Sequence, residues 1–384
     1  MKKLFFLPLI LLMVAAQAQT ISFLDNDWNK AREEAKKQNK YIFVDAYTDW
    51  CYWCKVMDKQ TFPDKEVVKF MSENFVALKL EMEHNYGINV AMKYRVRSFP
   101  SFLVFAPNGK LVYKIAGYME PAAFIAELKK ALAPAQKEAY AGVSNEVDLA
   151  FPDFYKSVFG GKKNRPDAAA VNTYLDGQKD LFNEVNYSVL VTFASLLSDK
   201  NQAQLLDNRK KYEQLFGAGD IENAIYALNS KLLKAAIESK KQEDLKAAIA
   251  FMEKYQANDL EANKSNLLLN YYKGIEDWGQ MARQVDVFIE KNGYDGGRIN
   301  EWAWTVYEKC GDIDVVKKAI GWMKPVIEKK AEYATTDTYA ALLYKAKQFA
   351  EAQTYAKKAI ELGKAEGQKT DETEQLLKKI EAAK

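Results

Sequence analysis

Tyr41-Ile42-Phe43-Val44-Asp45-Ala46-Tyr47-Thr48-Asp49-Trp50-Cys51-Tyr52-Trp53-Cys54-Lys55 holds two of the chain's three cysteines in one Cys-X-X-Cys pair. The apolar run Tyr41–Val44 has the length and composition of a buried strand. Cys51 to Lys59 has helical spacing, so the pair stands where a strand hands over to a helix. There the first thiol lies over free backbone N–H groups and the positive end of the helix dipole, which stabilise a thiolate. Thiols in such positions have pKa values of roughly 3.5–7.5, against about 8.5 for a free cysteine. Two intervening residues bring the second sulfur, one turn along, within reach of the first, so the pair can cycle between dithiol and disulfide. A zinc half-site is disfavoured, because there is no second Cys pair and His84 is the only histidine. A permanent structural disulfide is the alternative that the pair alone leaves open.

Outward from this stretch the element types alternate. Asp27 to Gln38 is polar, with Trp28, Ala31 and Ala35 at helical spacing. Lys65 to Met71 reads as a helix introduced by Pro63 and Asp64, Phe75 to Met82 as a strand, and Ile88 to Tyr94 as a helix. Ser101–Phe105 and Leu111–Ile115 read as strands joined by the turn Pro107-Asn108-Gly109. Pro121 to Leu132 closes the unit as a helix, with proline suited to its first turn. The crossovers imply parallel strand pairs followed by one antiparallel hairpin.

At this point the chain resembles the thioredoxin superfamily over roughly residues 25–133. Asp45, six residues before Cys51, fits that family's buried acid, and Lys79 fits the lysine that accompanies it. Phe99-Pro100, with Pro100 46 residues after Cys54, fits its cis-proline. Asn108-Gly109 and Gly117 fit its later turns. Asp49-Trp50-Cys51-Tyr52-Trp53-Cys54-Lys55 and Lys59-Gln60-Thr61-Phe62-Pro63-Asp64 look most like the C-terminal domain of DsbD-type thiol:disulfide interchange proteins. The intervening Tyr52-Trp53 departs from the Gly-Pro of thioredoxin and the Val-Ala type of DsbD. The resemblance implies Cys51 as nucleophile, Cys54 as resolving thiol, Asp45 and Lys79 as the proton-handling pair, and Trp50, Phe99 and Pro100 as the substrate-binding surface. It implies no cofactor beyond the Cys51–Cys54 disulfide and no metal. Keeping Asp45 and Pro100 argues against a redox-dead disulfide.

Past Pro134 the strand signals stop. Leu245, Trp278, Ile313 and Phe349 are spaced 33, 35 and 36 residues apart, each heading an i, i+3, i+7, i+10 stripe. Recurrence near 34 residues implies stacked helical hairpins. Thr338 to Leu362 looks like a tetratricopeptide repeat, with Tyr339-Ala340-Ala341-Leu342-Leu343-Tyr344 on one helix and Phe349-Ala350-Glu351-Ala352 opening the next. An irregular helical bundle is the plainer alternative. The expected architecture is an α/β thioredoxin fold over 19–135, followed by an all-α, tetratricopeptide-like region over 136–384. Cys310 reads as a small buried hydrophobe, and Gly293, Gly296 and Gly297, with no strand before them, form a break rather than a phosphate loop.

Residues 1–18 read as a cleaved leader: a basic start at Lys2-Lys3, an apolar stretch Leu4–Val14, and Ala16-Gln17-Ala18 before cleavage at Gln19. The stretch is too short to span a bilayer, and no apolar run of about 18 residues follows. With no cysteine at the cleavage point, the expected product is a periplasmic protein rather than a lipoprotein. The chain carries 55 Lys and Arg against 52 Asp and Glu, and the leader takes two of those lysines, leaving 53 against 52. Such a balance gives nucleic acid no electrostatic foothold. Expected partners are protein disulfides, a separate thiol redox partner, and a peptide or protein on the helical repeats. The competing function is a helical-repeat scaffold with the thioredoxin domain as docking module.

Overall fold

The computed structural model describes residues 20–134, 140–161, 164–256 and 258–383. The leader expected over residues 1–18 lies outside them.

Five strands form one sheet: β1 (Phe23–Asp25), β2 (Tyr41–Tyr47), β3 (Phe75–Glu81), β4 (Ser101–Phe105) and β5 (Leu111–Ala116). Their order is β1-β3-β2-β4-β5, with β1, β3 and β2 parallel and β4 and β5 antiparallel to their neighbours. The helices among them are α1 (Trp28–Gln38), α2 (Tyr52–Val56), α3 (Lys65–Asn74), α4 (Asn85–Tyr94) and α5 (Pro121–Ala131). Their starts follow from capping chemistry. The Asp27 carboxylate accepts from the Lys30 N–H ahead of α1, and Asp64 accepts from Glu66 and Val67 N–H ahead of α3.

Two local features differ from the sequence expectation. β1 is only three residues long, too short to show a period, and it pairs Phe23 with Ala77. The helix expected over Cys51–Lys59 is α-helical only to Val56 and continues as a π-helical segment, Met57–Thr61. The Phe62 N–H reaches back to the Met57 carbonyl there.

The sheet is covered on both faces, which explains why its strands read as nearly continuous apolar runs. On one face Phe43, Phe62, Phe102 and Phe124 form a ring cluster beneath α3 and α5, with Phe43 stacked on Phe102 at 5.4 Å between centroids. Strand alternation sends Ile42 and Val44 to the opposite face, where they are equally buried. On that face Phe105 meets the edge of Trp28 from α1 and Tyr94 from α4.

The compact unit that contains the sheet does not stop at its last helix but runs to Ala224. Residues 140–224 include α6 (Asp153–Lys156), α7 (Ala168–Asp176), α8 (Glu184–Thr192), α9 (Asp199–Asp207), α10 (Arg209–Phe216) and the start of α11 (Ala218–Ser239). They hold the sheet domain through buried polar contacts. Lys93 pairs with Glu184 at 2.8 Å, and Asp220 pairs with both Arg95, at 2.8 Å, and Lys114, at 2.9 Å. Tyr155 donates its hydroxyl to the Met92 carbonyl at 2.7 Å. Burial alone would push the Asp220 carboxyl up, but the two cations outweigh it and hold the pKa at about 2.

The second compact unit, from Ile225, is helical in its described residues. It holds α12 (Gln242–Tyr255), α13 (Leu260–Gly274), α14 (Trp278–Asn292), α15 (Gly296–Lys309), α16 (Ile313–Lys329), α17 (Tyr333–Lys345), α18 (Phe349–Ala365) and α19 (Asp371–Ala382). The four expected stripes fall on α12, α14, α16 and α18. Their second positions, Ala248, Met281, Val316 and Ala352, are all fully buried. The leading positions are not equivalent: Leu245 is buried, Trp278 and Phe349 are half-buried, and Ile313 is exposed at the first residue of its helix. Cys310 is buried in this core.

Candidate redox site

Sheet register builds the site. β2 and β3 run parallel with Asp45 opposite Lys79, and β2 and β4 run antiparallel with Ala46 opposite Ser101. The C-terminal end of β2, which leads to Cys51, therefore lies beside the start of β4, which Pro100 precedes. Phe99-Pro100 is a cis peptide.

Cys51 is the N-cap of α2, and its Sγ accepts the Cys54 N–H at 3.0 Å. Its own N–H donates to the Thr48 carbonyl at 3.1 Å. The two sulfurs are joined as a disulfide with 5.3 Å between Cα atoms. Both cysteines are nearly covered, whereas the residues around them are open: Trp50 is 65% exposed, Tyr52 69% and Trp53 51%. The three neighbouring aromatics thus form an exposed apolar patch beside the disulfide.

Trp50 is held in place from two sides. Its indole N–H donates to Glu83 Oε2 at 2.9 Å, and its ring meets Phe99 edge-on at 5.8 Å. Pro100 is buried and its carbonyl accepts the Gly117 N–H at 2.9 Å. The open backbone of this turn is instead that of Phe99, whose N–H and C=O make no hydrogen bond among the described residues.

Asp45 is 2% exposed, and its Oδ1 has no hydrogen-bond partner among the described residues. Burial raises its pKa from 3.8 to about 7; Lys79 opposes that rise and Asp58 adds to it. A carboxyl at that value can take or give a proton near neutral pH. Lys79 Nζ lies 3.6 Å from Asp45 Oδ2 and makes its closer ion pair with Asp58, on the π-helical segment. It also sits over the rings of Phe23, Tyr47 and Phe62.

The expected residues are thus brought together in two groups, Cys51–Cys54 with Trp50, Phe99 and Pro100, and Asp45 with Lys79 on adjacent strands. Asp58 and Glu83 were not singled out from the sequence. Their partners are 21 and 33 residues away and no local motif marks them. Among the described residues no group of three His, Cys, Asp or Glu is placed to hold a metal ion. His84 is exposed ahead of α4.

Residues 28–132 match the family model described as a thioredoxin-like domain. Over 111 residues the chain is 33% identical to the thiol:disulfide interchange protein DsbD of Pseudoalteromonas atlantica, covering 28% of this chain and 19% of that protein. Over 106 residues it is 28% identical to a protein disulfide-isomerase of Hordeum vulgare, covering 28% of this chain and 21% of that protein. A thioredoxin from Thermus thermophilus, of known solution structure, is similar over 28% of this chain and 86% of its own, with 22% identity and a TM-score of 0.27. The chain spans about a fifth of the length of these two curated relatives. Its N-terminal part is a thioredoxin-like domain carrying a Cys51–Cys54 disulfide, and an all-α region follows.

Proposed function

We propose that the chain is an exported thiol-disulfide oxidoreductase that reduces protein disulfides through Cys51 and Cys54. The observation that carries this reading is the placement of Cys51 Sγ at the cap of α2, bonded to Cys54, with open aromatics around it and a buried carboxyl poised near pH 7 behind it.

In the dithiol state the Cys51 thiolate attacks one sulfur of a substrate disulfide. A Cys51–substrate bond forms, and the substrate's other sulfur leaves as a thiolate and takes a proton from solvent. Cys54 then gives its proton to Asp45, through water, and its thiolate attacks Cys51 Sγ. The second substrate thiol is released and Cys51–Cys54 is left oxidised. Two electrons have moved to the substrate, and a separate dithiol donor must return two to the pair. Lys79 keeps the Asp45 proton exchangeable, and the Phe99 backbone pairs with an extended substrate segment.

The leader pattern of residues 1–18 supports export to the periplasm. The recurring stripes on α12, α14, α16 and α18 support a tetratricopeptide-like array that binds a peptide or protein. Among the described residues no helix is long and apolar enough to cross a membrane. The test is reduction of insulin disulfides by the full chain with a dithiol donor. Activity that Cys51→Ser abolishes supports the reading; equal activity of Cys51→Ser and the parent chain overturns it.

A further inference from the structure

Beside Trp50 and Phe99 lies a groove of about 790 Å³ that the sheet domain does not form alone. Its far wall is the segment Val158–Gly161 of the helical extension. Gly160 and Gly161 have φ of +66° and +72°. A Cβ on Gly160 would lie 2.7 Å from Ile88 Cδ1, and one on Gly161 would lie 3.4 Å from Glu83 Oε1. Positive φ favours glycine at both positions and close approach to Ile88 favours it at Gly160, so the extension is fitted against the redox domain at this edge.

The charges on this groove are unbalanced. Arg97 and Arg165 both line it, and neither has an ion-pair partner among the described residues. Arg95, two residues away, is by contrast locked to Asp220. Glu83 is the one acid on the lining; its Oε2 accepts the Trp50 indole N–H, and its charge offsets one guanidinium, so the lining keeps one positive charge in excess. Partial loss of water around the otherwise exposed Arg97 lowers its guanidinium below the ordinary value; Tyr155 opposes that shift and Arg165 adds to it. A bound anion would relieve both the loss of water and the Arg165 charge. Arg97 also precedes Phe99 on the loop into β4, so a segment paired with the open Phe99 backbone is carried along that loop toward Arg97.

We propose that this groove binds an acidic stretch of the polypeptide whose disulfide is presented to Cys51, its carboxylates meeting Arg97 and Arg165 and its apolar side chains lying on Trp50, Phe99 and Phe159. This rests on the reductase reading above and adds a substrate class to it: proteins with acidic residues flanking the target cysteine. Planar guanidinium groups suit carboxylates, in bidentate geometry, better than a point charge would.

The test uses the pre-reduced full chain and a synthetic peptide closed by one disulfide, carrying a tail of three Glu or three Gln, placed on either side of the disulfide in turn. Expected is at least a tenfold higher kcat/KM for one of the Glu-tailed peptides at low ionic strength, shrinking as salt is raised. In Arg97→Gln/Arg165→Gln that ratio falls below about three, and in Arg97→Glu/Arg165→Glu the Gln tail is preferred. Equal rates for Glu and Gln tails in the parent chain, or a preference that survives both double variants, overturn the proposal and leave the reductase reading standing. Failure of the parent chain to reduce any of the peptides, or insulin, removes the reductase reading and this inference with it.

Discussion

Asp45 sets a pH dependence whose sign follows from its burial. Its folded-state pKa is about 7, against 3.8 ordinarily. Between those values the native chain holds a proton that the unfolded chain has released. The stabilisation is therefore fully present below about pH 4 and is lost as pH rises to 7, amounting to roughly 4 kcal/mol. Asp45→Asn is expected to remove this slope and to make the oxidised protein more stable than the parent at pH 8. Urea denaturation at pH 5 and pH 8 reads it, and an unchanged slope in the variant would show that another group is responsible. Cys54→Ser keeps the nucleophile and loses the resolving thiol, so it should accumulate thiol-cleavable complexes with substrate. If Cys51→Ser trapped as many, the two roles would be reversed. Cys51, Cys54, Asp45 and Phe99-Pro100 were legible because their spacing along the chain is itself the pattern. Asp58 and Glu83 were not, because each acts across a distance in sequence that only the folded sheet closes.

Among the elements, β2 is the one that both the sequence and the fold make central. Its alternation places Phe43 in the ring cluster and Asp45 at the site two residues on, so core and chemistry share one strand. Phe43→Ala should destabilise by about 3–5 kcal/mol, the range for removing a buried ring. Thermal denaturation measures it, and a loss under about 1 kcal/mol would mean the cluster closes over the gap. Strands and helices with a full period were readable, since burial on both faces leaves continuous apolar runs. β1 carries too few residues for a period, and the π-helical turn at Met57–Thr61 changes hydrogen-bond register without changing composition. The helical stripes were readable at their buried second positions and blurred at their first, where the helix starts leave Ile313 exposed.

Across the molecule, the change from strands to helices near Pro134 is visible in sequence, but the attachment of residues 140–224 to the sheet domain is not. That attachment depends on Lys93, Arg95 and Lys114, ordinary basic residues on the sequence, finding Glu184 and Asp220 about a hundred residues on. Asp220→Ala leaves Arg95 and Lys114 without their carboxylate and should cost about 3–5 kcal/mol. For the same reason a fragment ending at residue 134 should unfold at lower temperature than one ending at Ala224, and equal midpoints would show that the extension adds nothing. The direction of electron flow is the central claim. Tyr52 and Trp53 put no cation between the cysteines, the Trp50 indole N–H is committed to Glu83, and Asp45 and Asp49 oppose an extra-stable thiolate. Stabilisation of the Cys51 thiolate by the α2 N-terminus alone predicts a reduction potential nearer about −270 mV, as in thioredoxin, than about −120 mV, as in a strong oxidase. Equilibrating Cys51–Cys54 of the full chain against glutathione measures it: a value near −270 mV is expected, and one more oxidising than about −180 mV would contradict a reductase.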